Sequence, residues 1–220
     1  MRLPNQLLAV CFAALLCALA TVPASAGTVY NNSTPQSYTI NAYGISGVQE
    51  LSDSFALTSP ATISQVMFGN WLLAGDSLTS VDWEITTGAF SGSTLASGTA
   101  SSFSSTFEGT TVENSGTWNM NSSVFSIPAL SLSAGTYYLQ LDDGKDTNGP
   151  GVYWDIDNGP STVTIEVTSD PGVHLLPFDG GSETFALYGS TSATPEPSSF
   201  LLLGSGLAGL AGLIKRKVRA

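Results

Sequence analysis

The segment Val81-Asp82-Trp83-Glu84-Ile85 sets apolar side chains at alternate positions, with a carboxylate at each position between them. A β-strand turns successive side chains to opposite faces, so this segment reads as a strand with one buried and one wet face. The same period recurs in both directions along the chain. Val163, Ile165 and Val167 alternate with Thr164, Glu166 and Thr168. Tyr137, Leu139 and Leu141 form one row and Tyr138 and Gln140 the other; Val152, Trp154 and Ile156 oppose Tyr153 and Asp155. Additional strands are expected at Ser52–Leu57, Thr62–Phe68, Thr94–Ala100, Thr111–Val112, Val124–Ile127 and Thr184–Tyr188. Turn signals separate them: Ala74-Gly75-Asp76, Ala134-Gly135, Asn148-Gly149-Pro150 and Asn158-Gly159-Pro160. About ten short strands at this spacing, with no long helical period, predict an all-β fold. Residues 27–189 are expected to form one antiparallel β-sandwich or jelly-roll-like domain, and the Ser/Thr-rich stretch 190–194 a linker. Tyr137–Leu141 and Val152–Ile156 are expected to pair as a hairpin.

The charge is unevenly placed. The formal net charge is −11, yet residues 27–194 contain a single base, Lys145. All the acids but Glu196 also fall there. Nucleic-acid binding needs clustered Lys or Arg and is excluded as a function of this body, as is docking on anionic lipid. Both cysteines, Cys11 and Cys17, precede residue 27, so the body holds no disulfide.

The ends carry addresses. Arg2, the apolar run Leu7–Ala20 and the A-x-A sequence Ala24-Ser25-Ala26 before Gly27 read as a signal peptide over residues 1–26. At the other end, Pro195-Glu196-Pro197 precedes an uncharged run from Ser198 to Ile214 and a basic tail with Lys215, Arg216, Lys217 and Arg219. Residues 198–214 are just long enough for a transmembrane helix. The basic residues 215–220 would hold that helix's end in the cytoplasm, leaving the body outside. A permanent tail anchor is the alternative, because Gly204, Ala208 and Gly212 recur on one helical face as in membrane helix packing.

The order Pro-Glu-Pro, apolar helix, basic tail over residues 195–220, combined with a signal peptide, resembles the PEP-CTERM sorting signal. That resemblance implies an exported protein of a Gram-negative bacterium, held transiently in the inner membrane by its C-terminal helix and processed by an exosortase. Pro195, Glu196 and Pro197 would be the recognition motif. The final location would be the cell surface or extracellular matrix, in association with exopolysaccharide or biofilm. The body is also loosely similar to central domains joined to this signal, which implies no activity.

The residues offer little catalytic chemistry. A nucleophilic triad needs a base, and the body has only His174 and no G-x-S-x-G elbow. Zinc would need further His or Cys ligands, and a phosphate loop its lysine. Asp82 and Glu84 project from one strand face about 7 Å apart. They could serve as a glycosidase acid/base pair, or simply form a solvated face. Hard cations favour acidic turns, which makes Asp142, Asp143, Asp146 and Asn148, with Asp155 and Asp157, a calcium candidate. Neither run has EF-hand spacing, and Lys145 intrudes on the first. Among the aromatics, Trp83 and Trp154 alternate with apolar residues and read as core. Trp118, Tyr138 and Tyr153 are the candidates for stacking on a sugar. The expectation is a non-enzymatic surface or matrix protein without a required cofactor. A carbohydrate-binding module, calcium-assisted or not, is the alternative.

Overall fold

The structure is a computed structural model that describes residues 26–33, 41–45, 47, 49–113, 116–149, 151–161, 163–167, 174–175, 181–191 and 206. The chain divides into two compact units, Met1–Ser190 and Thr191–Ala220. The strands in chain order are β1 (Gly27–Asn31), β2 (Asn41–Gly44), β3 (Gln49–Leu57), β4 (Ala61–Leu73), β5 (Leu78–Thr86), β6 (Thr94–Ala100) and β7 (Ser104–Glu113). There follow β8 (Gly116–Leu132), β9 (Gly135–Asp146), β10 (Tyr153–Asp157), β11 (Val163–Val167), β12 (His174–Leu175), β13 (Ser182–Glu183) and β14 (Phe185–Thr191). β14 thus continues two residues into the stretch read as a linker. Residues 195–205 and 207–220, hence the sorting motif and basic tail, lie outside the described residues, as does Ala24. Gly206 is helical, and among the described residues no helix is long and apolar enough to cross a membrane.

The strands form two antiparallel sheets. The first joins β1, β14, β4, β10 and β13 in that order, with β2 on β10, and β8 on β4 carrying β7 outward. The second runs β12-β11-β3-β9-β5-β6. Alternation decides which face of each strand is buried. Val81, Trp83 and Ile85 of β5 are buried while Asp82 and Glu84 are half-exposed, as the sequence predicts. One apolar core draws on both sheets: Leu51, Phe55, Trp83, Ile85, Leu139 and Leu141 from the second, Phe68, Phe125, Trp154 and Phe185 from the first. Ring contacts join them, with Phe55 and Phe185 centroids 6.4 Å apart and Trp83 and Phe125 6.3 Å apart. Burying each such side chain contributes roughly 2–3 kcal/mol.

The expected hairpin does not form. β9 is occupied on both edges: Leu141 pairs with Leu51 of β3 and with Trp83 of β5. No edge is left for β10, which crosses to the first sheet. There Trp154 pairs with Tyr43 of β2 and Asn70 of β4. The sequence also undershoots strand length. Residues 62–68 grow into the thirteen-residue β4, and 124–127 into the seventeen-residue β8. β1, β2, β12 and β13 are not predicted.

Geometry requires glycine at positions that include Gly75 and Gly189. Gly75 has φ of 101° in the turn after β4, where the Asp76 amide donates to Leu73 O at 2.9 Å. At Gly189 of β14 a Cβ would lie 1.9 Å from the Thr62 carbonyl oxygen, so only glycine lets β14 approach β4.

Candidate functional site

The first sheet gathers aromatic residues on one outward patch. Tyr153 pairs with Trp71, and Trp118 pairs with Leu73 two residues along β4. Period-two alternation therefore turns all three rings to the same face. The Trp118 and Tyr153 ring centroids are 5.0 Å apart with planes at 75°, an edge-to-face corner. With Trp71, Asn41, Ala42 and Glu113 they line a pocket of about 90 Å³. The corner is held in place. Trp118 Nε1 donates to Glu113 O at 3.2 Å, and Trp71 Nε1 donates to Asp155 Oδ1 at 2.6 Å. Two of the three predicted stacking residues are thus brought together. The third, Tyr138, pairs with Ser54 and Thr86 in the second sheet and takes no part. Asn41 and Glu113 escape sequence reasoning, since each lies at the end of a strand too polar or too short to declare itself.

The outer face of the second sheet carries a wider, acidic concavity of about 370 Å³. Cross-strand register builds it: Asp82 stands opposite both Asp142 and Thr99, and Glu84 opposite both Gln140 and Ser97. Glu50 completes the acidic lining. The carboxylates are restrained by neighbours. Thr99 Oγ1 donates to Asp82 Oδ1 at 2.6 Å. With its amide oriented to satisfy its neighbours, the buried Gln140 nitrogen donates to Glu50 Oε1 at 2.9 Å and Glu84 Oε2 at 3.1 Å. Asp142 Oδ1 is buried without a hydrogen-bond partner. Burial pushes the Asp142 carboxyl up, and the charges of Asp143 and Asp82 push it further. Asp82 and Glu84 do share one face, but each is engaged by a neighbour.

The residues suggested for calcium are dispersed. Asp142, Asp143 and Asp146 are on β9 in the second sheet, and Asp155 and Asp157 on β10 in the first. Asp143 Oδ2 pairs with Lys145 Nζ at 2.5 Å. Asp146 Oδ1 caps its own turn, accepting from the Asn148 and Gly149 amides at 2.8 Å each. The side chain of Asn148 is hydrogen-bonded to Asp76 instead. Asp155 has both oxygens engaged, by Trp71 Nε1 and by Thr184 Oγ1 at 2.8 Å. Asp157 Oδ1 accepts from the Asn158 amide at 2.7 Å. Among the described residues no group of three or more His, Cys, Asp or Glu is placed to hold a metal ion.

A third set of acids is internal. Asp53, Asp155 and Glu183 are all fully buried. Asp53 accepts from the Ser54 and Glu183 amides at 2.6 Å each, from Ser182 Oγ at 3.2 Å and from Asn32 Nδ2 at 3.3 Å. Burial nevertheless pushes its pKa up to about 6. Neither carboxyl oxygen of Glu183 has a partner, and burial together with Asp53 and Asp155 raises its pKa well above the ordinary range. Asp53 was legible in principle, because it interrupts the buried row Leu51, Phe55, Leu57.

Comparison with known families identifies one region. The PEP-CTERM protein-sorting motif matches residues 193–217, which include Pro195, Glu196 and Pro197 and the first three basic residues of the tail. The motif marks an exported chain, sorted at the membrane and processed by an exosortase. No curated protein and no solved structure matches the chain.

Proposed function

We propose that this chain is a non-enzymatic display protein of the cell surface or extracellular matrix. In this reading a signal peptide over residues 1–26 exports the chain, with cleavage between Ala26 and Gly27; β1 begins at that residue. The C-terminal helix holds the chain in the inner membrane, an exosortase cuts near Pro195–Pro197, and a two-sheet β-sandwich passes into an exopolysaccharide layer. The observation that carries the reading is the sorting motif at residues 193–217. Replacing Pro195, Glu196 and Pro197 with alanine is expected to trap full-length protein in the inner membrane. Fractionation that finds the variant at the surface at the normal rate would refute it. A chain with Asp82→Asn or Glu84→Gln separates display from hydrolysis: sugar release by the parent that either variant abolishes would overturn the non-enzyme reading.

A second reading, carbohydrate binding, is favoured by one observation: Trp118 and Tyr153, distant in sequence, meet in one pocket with Trp71. Aromatic faces pack against the C–H faces of pyranose rings, while Asn41 and Glu113 supply hydrogen-bonding groups. This reading does not call on calcium: Asp142, Asp143 and Asp146 belong to the other sheet from Tyr153, and Asp155 on the same strand is engaged by Trp71 and Thr184. A glycan array with and without chelator tests it. Binding that survives chelation and fails in Trp118→Ala supports the site, and silence on every glycan sinks it.

A further inference from the structure

We infer that the Trp118–Tyr153 pocket selects a cationic glycan, one built from amino sugars with free, protonated amines. The inference rests on the carbohydrate-binding reading of the same pocket and adds the class of sugar.

Three features lead to it. The first is shape. Trp118 and Tyr153 meet at 75°, and Trp71 closes the floor, almost fully buried against Asp155. Perpendicular rings make a corner rather than a flat platform. A corner of about 90 Å³ suits a compact substituent and the edge of a ring better than a whole pyranose lying flat. The second is the lining. Among the described residues the one charged member of the lining is the acid Glu113, and Asn41 and the Tyr153 hydroxyl are its other polar groups. Aromatic faces carry negative quadrupoles and attract an ammonium lodged among them. A carboxylate at the rim completes the complement for a cation and leaves nothing for a uronate or sulfate.

The third is the field of the whole body. Residues 27–194 carry a single base, Lys145, which is paired with Asp143 at 2.5 Å. A chain so acidic repels polyanionic glycans at long range and draws polycationic ones toward it. Neutral glycans feel neither force. Shape, lining and field all favour the same ligand class.

The test uses the full chain in mild detergent, with binding followed by tryptophan fluorescence in mildly acidic buffer. The probes are a glucosamine oligomer, its N-acetylated counterpart, a neutral glucan and a polyuronate. The glucosamine oligomer is expected to bind tightest. Its affinity should fall about thirtyfold in Trp118→Ala, the order of one desolvated cation–π contact. Glu113→Gln, a conservative change at an exposed position, should weaken the glucosamine oligomer more than the N-acetylated one, and added salt should do the same. Equal or tighter binding of the acetylated, neutral or uronate probe, or indifference of the glucosamine oligomer to Glu113→Gln, overturns the cationic inference and leaves glycan binding standing. Failure of every probe overturns both.

Discussion

The internal acids make the body's stability depend on pH in an unusual direction. Most buried carboxylates are ion-paired with pKa values held low, so acid unfolds the protein. Here burial raises Asp53 from 3.8 to about 6, and among the described residues no Lys or Arg is bonded to it. The native state then binds more protons than the unfolded chain between those values. Stability is fully present below about pH 4 and is lost as pH rises through the folded pKa. A shift of about two units corresponds to about 3 kcal/mol. With a urea dependence of roughly 2 kcal/mol per molar for a domain of this size, the unfolding midpoint should drop by about 1.5 M between pH 4 and pH 7. Glu183, raised further by burial and by Asp53 and Asp155, extends the decline to higher pH. Asp53→Asn removes one titrating group while keeping its shape. The variant is offset by lost hydrogen bonding, but the readout is slope, and its curve should flatten over the lower part of the range. A parent midpoint that stays level or climbs from pH 4 to pH 7 would refute the reasoning. So would a slope unchanged in the Asn variant.

Other perturbations follow from single contacts. Gly189→Ala drives a Cβ into the Thr62 carbonyl and should cost about 3 kcal/mol or prevent folding, read as a lowered thermal midpoint. Trp71→Phe keeps the ring but withdraws a donor from the buried Asp155 carboxylate; a loss of about 2 kcal/mol in urea unfolding is expected. Trp154→Ala empties the centre of the core and should cost about 4 kcal/mol, although Trp154 touches neither outer face. Chelation should leave the thermal midpoint where it is, because the acids suggested for calcium serve as a turn cap, an ion-pair partner and hydrogen-bond acceptors on separate sheets.

The strand faces were legible because period two is a local property. Val81, Trp83 and Ile85 needed only their neighbours to declare a buried row, and the β6 limits Thr94–Ala100 match the expected span. Pairing is not local. Tyr137–Leu141 and Val152–Ile156 are close in sequence and joined by a Gly-Pro turn, the ordinary recipe for a hairpin. What defeats it is competition: β3 and β5, far away in sequence, claim both edges of β9. The candidate site divides in the same way. Trp118 and Tyr153 were identifiable by type, but their meeting depends on β8 and β10 both flanking β4. Asn41 has no pattern at all, since β2 is four residues long and known only through its pairing with β10.

The acidity has a different meaning once the acids are located. Asp53, Asp155 and Glu183 are internal, and Asp146 caps a turn; these serve the fold. Glu50, Asp82, Glu84 and Asp142 concentrate on the outer face of the second sheet. The aromatic corner opens on the first sheet, where Glu113 is the one acid of its lining. Removal of both ends would take every base except Lys145, which Asp143 already occupies. Among the described residues such a body has no unpaired Lys or Arg with which to grip an anionic matrix. In the proposed reading, adhesion therefore comes from aromatic contact or from positive charge on the partner. The first sheet's pocket sets three rings beside one acid, whereas the second sheet's concavity sets one largely buried ring, Trp83, among four.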